Sequence, residues 1–324
     1  MTLRKLLVLS SMSLAACGLG PFAEPGGGGE NLPQSGAGPY LFPAPDFDTP
    51  VDEPYLLAQP VVSLTDPSVR ILSSGDYEIY YTRNTDEGSE IWRLRLESLT
   101  SLPLTPPELV LAPSEAWEGT GLRAPSIVAG ESEVFLYYEG GDETFAIGLA
   151  RSADDGQTFV KHGSSPLIED AAGPDVIAVD DYWLMVHADP EGSQIFLREG
   201  SDVDSFGEPR SVASARLGVQ GAIDSLGIGA PALRRQISSA GREHYGLFYA
   251  GLGANSEGEA VSSIGYYGSF DLLAWTAFLG GGPILDAEPS GAGGPAPVLS
   301  GTNSLLFVHQ ARQGRGRIAV AIGP

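Results

Sequence analysis

The chain has 324 residues, 42% of them hydrophobic, enough apolar material for one large domain or two ordinary ones, which argues against wholesale disorder. Lys and Arg number 18 against 41 Asp and Glu, so the net charge is −23 and most of the surface repels phosphate backbones and anionic headgroups. No nucleic-acid partner is expected. With 43 Gly and 25 Pro, short strands joined by turns fit better than long helices.

Residues 1–16 run from a short basic region (Arg4, Lys5) through an apolar stretch (Leu6 to Leu14) to small residues. That is a secretory signal plan, too short to span a bilayer. Leu14-Ala15-Ala16-Cys17 resembles the bacterial lipoprotein box, which implies cleavage before Cys17 and lipidation of that residue. Ordinary secretion with cleavage nearby is the alternative. Cys17 is the only cysteine, so no intramolecular disulfide is possible. Residues 17–45 then read as the lipidated cysteine and a Gly/Pro/Ser-rich tether, too poor in apolar surface to offset ordering entropy. Residues 46–324 are the expected globular domain. The expected location is the bacterial cell envelope, at the outer membrane or cell surface, with the Cys17 lipid as the membrane attachment.

Behind the tether a short segment recurs in which a small or acidic residue precedes Pro, any residue follows, and an aliphatic closes it. It occurs as Asp66-Pro67-Ser68-Val69, Ala124-Pro125-Ser126-Ile127, Gly173-Pro174-Asp175-Val176, Ala230-Pro231-Ala232-Leu233 and Ala296-Pro297-Val298-Leu299. Each is followed by a β-branched and aromatic run ending in Tyr81, Tyr138, His187, Tyr249 or His309. A third apolar run begins at Ile91, Ile147, Ile195, Ile264 and Ile318. These are strand compositions repeated at the period of a propeller blade. The expected fold is all-β, a five-bladed β-propeller, because radial closure of five such units leaves only short sheet edges. A pair of large β-sandwiches is the alternative.

The blade openings resemble those of the five-bladed propeller glycosidases, the superfamily that holds family 43 arabinanases and xylosidases, the family 32 and 68 fructan enzymes and the family 130 mannoside phosphorylases. Leu136-Tyr137-Tyr138-Glu139-Gly140, then Ile147-Gly148-Leu149-Ala150-Arg151-Ser152 and the Asp155-Gly156 turn carry the same likeness. The resemblance implies a base Asp before the blade 1 proline, a second Asp in blade 3 and an acid Glu two residues before the blade 4 proline. Asp66 matches the first. Blade 3 has Gly173 before its proline, with Asp175 on the other side, and blade 4 has Gly229 where the acid belongs. Glycoside hydrolysis needs two carboxyl groups in separate roles. Glu118, Glu139 and Asp224 are candidate substitutes for the acid, each also readable as a turn or surface residue.

Ser152-Ala153-Asp154-Asp155-Gly156-Gln157-Thr158-Phe159 fits the Asp box of sialidase-like propellers, a hairpin turn whose acid and hydroxyls bond local backbone. Arg123-Ala124-Pro125 resembles the Arg-Ile-Pro opening of sialidases, which makes Arg123 a candidate substrate clamp and a sialidase a lesser alternative. Asp175, Tyr81 and Tyr138 are further substrate-binding candidates, the tyrosines either stacking sugar rings at a channel mouth or packing between blades. The four histidines show no metal-ligand spacing, and neither metal nor cofactor is expected. The functional expectation is an envelope-anchored propeller that binds a carbohydrate at its axial cleft and, if active, hydrolyses it with Asp66 as base. A propeller without catalysis, binding glycan or scaffolding proteins, is the alternative. Oligomeric state is not legible.

Overall fold

The computed structural model describes residues 63–323 except 100–103, 238–240, 256, 286–290, 301–302 and 313–314. The signal segment, Cys17, the tether and residues 46–62 lie outside the described residues. Five antiparallel sheets follow one another along the chain. Their first strands are Ser63–Ile71, Leu122–Ala129, Ala172–Val179, Gly227–Ile237 and Ala292–Ser300. The second strands are Tyr77–Thr85, Val134–Gly140, Tyr182–Ala188, Glu243–Ala254 and Asn303–Arg312, and the third are Gly88–Leu96, Ala146–Ser152, Gln194–Asp202, Ala260–Ser269 and Arg315–Gly323. Short outer strands complete blades 1 to 4. Each first strand packs on that of the next blade, and the fifth returns to the first, so the ring closes as a five-bladed propeller.

The core is divided among the five joints. Tyr80, Ile91 and Leu111 of blade 1 meet Leu122 and Leu136 of blade 2, and a comparable apolar cluster fills every other joint. The five isoleucines of the third-strand runs occupy one equivalent position, paired with Thr82, Glu139, Ala188, Ala250 and His309, and each is 0% exposed. Full burial of such a side chain contributes about 1.5–3 kcal/mol, so this ring alone is a large share of what ties the wedges together.

Every first strand carries one register shift, and it falls at an X-Pro pair: between Thr65 and Ser68, Arg123 and Ser126, Ala172 and Asp175, Gly229 and Ala232, and Gly293 and Ala296. Blades 1 to 4 place it at the openings expected from sequence. Blade 5 corrects the expectation. Its bulge uses Gly294-Pro295, two residues before the expected Ala296-Pro297, and Pro297 pairs regularly with Leu306. Tandem prolines left two frames open, and the bulge takes the one that offers glycine for its left-handed residue. The second-strand row opposite the bulges is therefore Tyr81, Tyr138, His187, Tyr249 and Val308, with His309 one place further on.

Gly173 and Gly294 are equivalent, with φ of 57° and 54°. A Cβ at Gly173 would meet its nearest neighbour at 3.5 Å, whereas at Gly294 it would lie 2.8 Å from His309 Nδ1 and 2.9 Å from Asp66 Cα. Gly173→Ala is expected to cost about 1 kcal/mol, the left-handed penalty alone. Gly294→Ala should cost about 2–4 kcal/mol because overpacking adds to that penalty. Denaturant unfolding of the two variants side by side checks the difference.

Candidate functional site

The five bulges converge on the propeller axis. The residue before proline is left-handed in every blade, with φ of 50° at Asp66, 45° at Ala124, 57° at Gly173, 43° at Ala230 and 54° at Gly294. A following proline normally steers its predecessor to extended backbone, so this conformation is enforced by the surrounding fold. The bulged N–H groups reach side chains of the preceding blade. Asp66 N–H donates to His309 Nδ1 (3.2 Å), Ala124 N–H to Thr82 Oγ1 (3.0 Å) and Gly173 N–H to Glu139 Oε2 (2.9 Å).

A second row of clasps lies just beyond. Ile127 N–H donates to Ser68 Oγ (3.0 Å), Val176 N–H to Ser126 Oγ (3.0 Å) and Leu233 N–H to Asp175 Oδ2 (2.7 Å). The Ser126 hydroxyl in turn donates to Asp175 Oδ1 (2.9 Å). At the joint of blades 4 and 5 both rows carry alanine, Ala250 and Ala232, and cohesion there comes from the apolar cluster around Ile264 and Leu306, with Ser262 Oγ donating to Ala292 O (2.6 Å).

Between these rows the X-Pro pairs line an axial cleft whose cavity is about 40 Å³. A water needs about 10–15 Å³ of such space, so two or three waters fit and a sugar ring does not enter fully. Among the described residues, Asp66 and Asp175 are the only ionisable ones in the lining. The bulge holds Asp66 at the cleft, 7% exposed, with Thr65 Oγ1 donating to its Oδ2 (2.8 Å). Burial pushes the Asp66 carboxyl up to about 6, against the Thr65 and Thr82 hydroxyls and the Arg123 charge. Burial likewise lifts Asp175 to about 6, although Leu233 N–H and the Ser126 hydroxyl favour its charged form. His309 Nδ1, 3.5 Å from Asp66 Oδ1, accepts the Asp66 N–H and so carries no proton of its own. Its burial lowers the imidazole to about 4, leaving it neutral near pH 7.

Of the remaining sequence candidates, none lines the cleft. Glu118 is 0% exposed and saturated: Lys161 Nζ lies 2.5 Å from Oε2, the Ser114 and Glu115 N–H groups donate to the same oxygen, and Tyr138 OH donates to Oε1 (2.9 Å). These contacts hold its carboxyl below the usual range despite burial. Glu139 is the clasp to Gly173, with Arg123 Nη1 3.5 Å from its other oxygen. Arg123 also donates to Gly141 O (3.0 Å) and lies over Phe145, so its fork is turned onto its own blade. Asp224 is 0% exposed and pairs with Arg216 Nε (2.7 Å). Tyr81 and Tyr138 are each 2% exposed, Tyr138 stacking on Trp117 at 5.9 Å, which is the packing alternative. Sequence reasoning missed the clasp positions Thr82 and His309. Their signal was present, one place after the aromatic row and opposite the five isoleucines.

The Asp box folds as its pattern requires. Gly156 N–H donates to Ser152 Oγ (2.8 Å), Thr158 N–H and its hydroxyl donate to the Asp154 carboxylate, and the turn docks on blade 1 through Arg70 and Asp155 (2.9 Å). Among the described residues no group of three or more His, Cys, Asp or Glu is arranged to hold a metal.

Solved structures similar to this chain include glycoside hydrolases. An α-L-arabinofuranosidase from Lactobacillus brevis is 17% identical, with a TM-score of 0.60 over 82% of this chain and 92% of that one. An exo-1,5-α-L-arabinanase from a bovine ruminal metagenomic library is 17% identical, with a TM-score of 0.59 over 82% and 95%. A thermostable family-43 glycoside hydrolase is 20% identical, with a TM-score of 0.56 over 82% and 90%. At these identities the likeness establishes the fold. No protein-family model and no curated protein matches the sequence.

Two measurements follow from this geometry. Asp66 rises from 3.8 to about 6, so the folded state binds the proton more tightly, and stability present below pH 4 is lost as pH rises from about 4 to about 6. Asp66→Asn should therefore be more stable than the wild type at pH 7 by about 3 kcal/mol and nearly equal to it at pH 4, read from unfolding curves at both pH values. The second concerns Asp224, whose Oδ2 is buried without a hydrogen-bond partner among the described residues beside Tyr249, the counterpart of Tyr138. Asp224→Glu adds the methylene that lets Glu118 reach Tyr138, and is expected to gain about 1 kcal/mol in the same assay.

Proposed function

We propose that this chain is an envelope-anchored, glycosidase-like propeller that binds a carbohydrate at the mouth of its axial cleft and does not hydrolyse it. One observation carries the reading: the carboxyl beside Asp66 in the cleft is Asp175, and both of its oxygens are engaged at the joint of blades 2, 3 and 4. Hydrolysis needs one carboxyl to protonate the leaving oxygen and another to activate water or attack the sugar. Asp66 stands where the resemblance puts the base, but the position of the acid is Gly229 and that of the second, blade 3 Asp is Gly173. The three alternative acids are occupied in ion pairs and blade clasps. With a cavity of about 40 Å³, the ligand sits at the rim, where Asp66 accepts hydrogen bonds from sugar hydroxyls. Cys17, lipidated, supplies the attachment to the envelope.

A second reading has its own support. Asp66 and Asp175 share one cleft, and burial holds both near 6, where a carboxyl is partly protonated close to neutral pH, as a general acid must be.

The deciding experiment is hydrolysis of a panel of aryl glycosides, arabinosides and xylosides included, by wild type, Asp66→Asn and Asp175→Asn, alongside a glycan array. The expected result is no turnover above the Asp66→Asn background, with a glycan bound by the wild type and weakened about 10–100-fold in Asp66→Ala. Wild-type turnover that falls by orders of magnitude in both Asn variants would establish the hydrolase instead. An array on which nothing binds would remove the carbohydrate reading.

A further inference from the structure

In blades 1 to 4 the buried isoleucine of the third strand has an apolar partner on its outer side: Leu111 for Ile91, Ile168 for Ile147, Ala213 for Ile195 and Leu285 for Ile264. Backbone groups make the contact. Leu167 N–H donates to Ile147 O (2.7 Å), Ile264 N–H to Leu285 O (3.1 Å) and Ile284 N–H to Ile264 O (2.8 Å). Blade 5 has the equivalent isoleucine, Ile318, yet among the described residues no strand pairs with the outer edge of Arg315–Gly323. That edge is nevertheless shut off from water, with Ile318, Ala319, Val320 and Ala321 0%, 2%, 1% and 1% exposed. Blade 1 covers the Ile318 and Val320 side chains and blade 4 covers those of Ala319 and Ala321. By equivalence with Ile147 and Ile264, the Ile318 N–H and C=O point outward, and buried backbone groups need partners.

The path of the chain selects the occupant. Each outer partner lies in the connection to the next blade and precedes that blade's left-handed pre-proline residue, Ala124, Gly173, Ala230 or Gly294, by 13, 5, 17 and 9 residues. Around the ring blade 5 is followed by blade 1, and the same distances counted back from Asp66 span residues 49–61. The apolar residues there are Val51, Tyr55, Leu56, Leu57, Ala58 and Val61. In blades 2 and 4 the N–H that bonds the isoleucine carbonyl belongs to the residue just before the outer partner, a position proline cannot fill. Pro50, Pro54 and Pro60 therefore remove Val51, Tyr55 and Val61, which leaves Leu56, Leu57 and Ala58. Prolines on either side also suit an outermost strand.

We propose that residues 55–58 form the outer strand of blade 5, seated on the edge of Arg315–Gly323 with Leu56 or Leu57 against Ile318. Both ends of the domain then latch the ring, and the sheet edge is covered by the chain's own lead-in segment. A pull on the residues before the latch loads the rim of blade 5, while Asp66, eight residues beyond it, stays held at the axis through His309. This latch requires neither a Cys17 lipid nor a ligand in the cleft.

Hydrogen exchange of the full-length protein, read by mass spectrometry, tests the latch. Peptides covering residues 55–58 and Arg315–Gly323 are expected to exchange at least about 100-fold more slowly than unstructured chain, at a rate comparable to the first strand Ser63–Ile71. Exchange of 55–58 at the unstructured rate overturns the proposal even if Arg315–Gly323 is protected, because the edge then belongs to another occupant, a second copy of the chain included. Leu56→Pro and Leu57→Pro are made separately. Neighbouring residues of a strand point their N–H groups to opposite edges, so in either register one of the two variants loses a bond to blade 5. That variant is expected to speed exchange across Ile318 to Ala321 about tenfold or more while Tyr182–Ala188 in blade 3 is unchanged. Wild-type rates in both variants overturn the latch, and if a variant fails to fold the wild-type exchange alone decides.

Discussion

The structure depends on one backbone device, a proline-locked bulge repeated in all five inner strands. By holding the pre-proline residue in the left-handed region it takes one N–H out of its own ladder and offers it to the neighbouring blade. A buried N–H needs an acceptor, so each joint has to supply one or shield the group. Thr82, Glu139 and His309 supply it at three joints, and Ser68, Ser126 and Asp175 serve the parallel row beyond. The ring is thus closed by polar clasps at the axis and by isoleucines further out.

This device and the candidate site use the same atoms. The bulge that gives blade 1 its clasp also presents Asp66 at the axis, and the clasp that holds blade 4 to blade 3 occupies Asp175. Here the lining carries glycine at position 173, and the cavity is about 40 Å³. Of the other candidate acids, Glu118 with Lys161 ties the loop before blade 2 to an outer strand of that blade, and Asp224 with Arg216 braces the loop before blade 4 from within. Breaking such buried pairs is costly, so their role is cohesion.

Much of this was legible from residue order because the repeat is written in residue types with local meaning. Proline marks the bulge, β-branched and aromatic runs mark the second strand, and Ser152 to Phe159 encodes a turn that forms from its own side chains. Blade 5 shows where local meaning ends. Pro295 and Pro297 are equally good punctuation, and only pairing with the second strand, Ala296 to Phe307 and Pro297 to Leu306, selects between them. That choice moved His309 from the aromatic row to the clasp row and gave it a role at Asp66.

From its sequence alone the chain determined the number of wedges, their strand content and the presence of one carboxylate at a blade opening, because alternation, proline and turn chemistry act over a few residues. What each carboxylate does was decided only on closure. Glu118, Glu139, Asp224 and Asp175 read alike as free acids along the chain. The partners of Glu118, Glu139 and Asp175 at Tyr138, Lys161, Gly173 and Leu233 lie 20 to 58 residues away, while Asp224 meets Arg216 8 residues back, and distance in space, not order in the chain, sets which hydrogen bonds and charges a buried group meets.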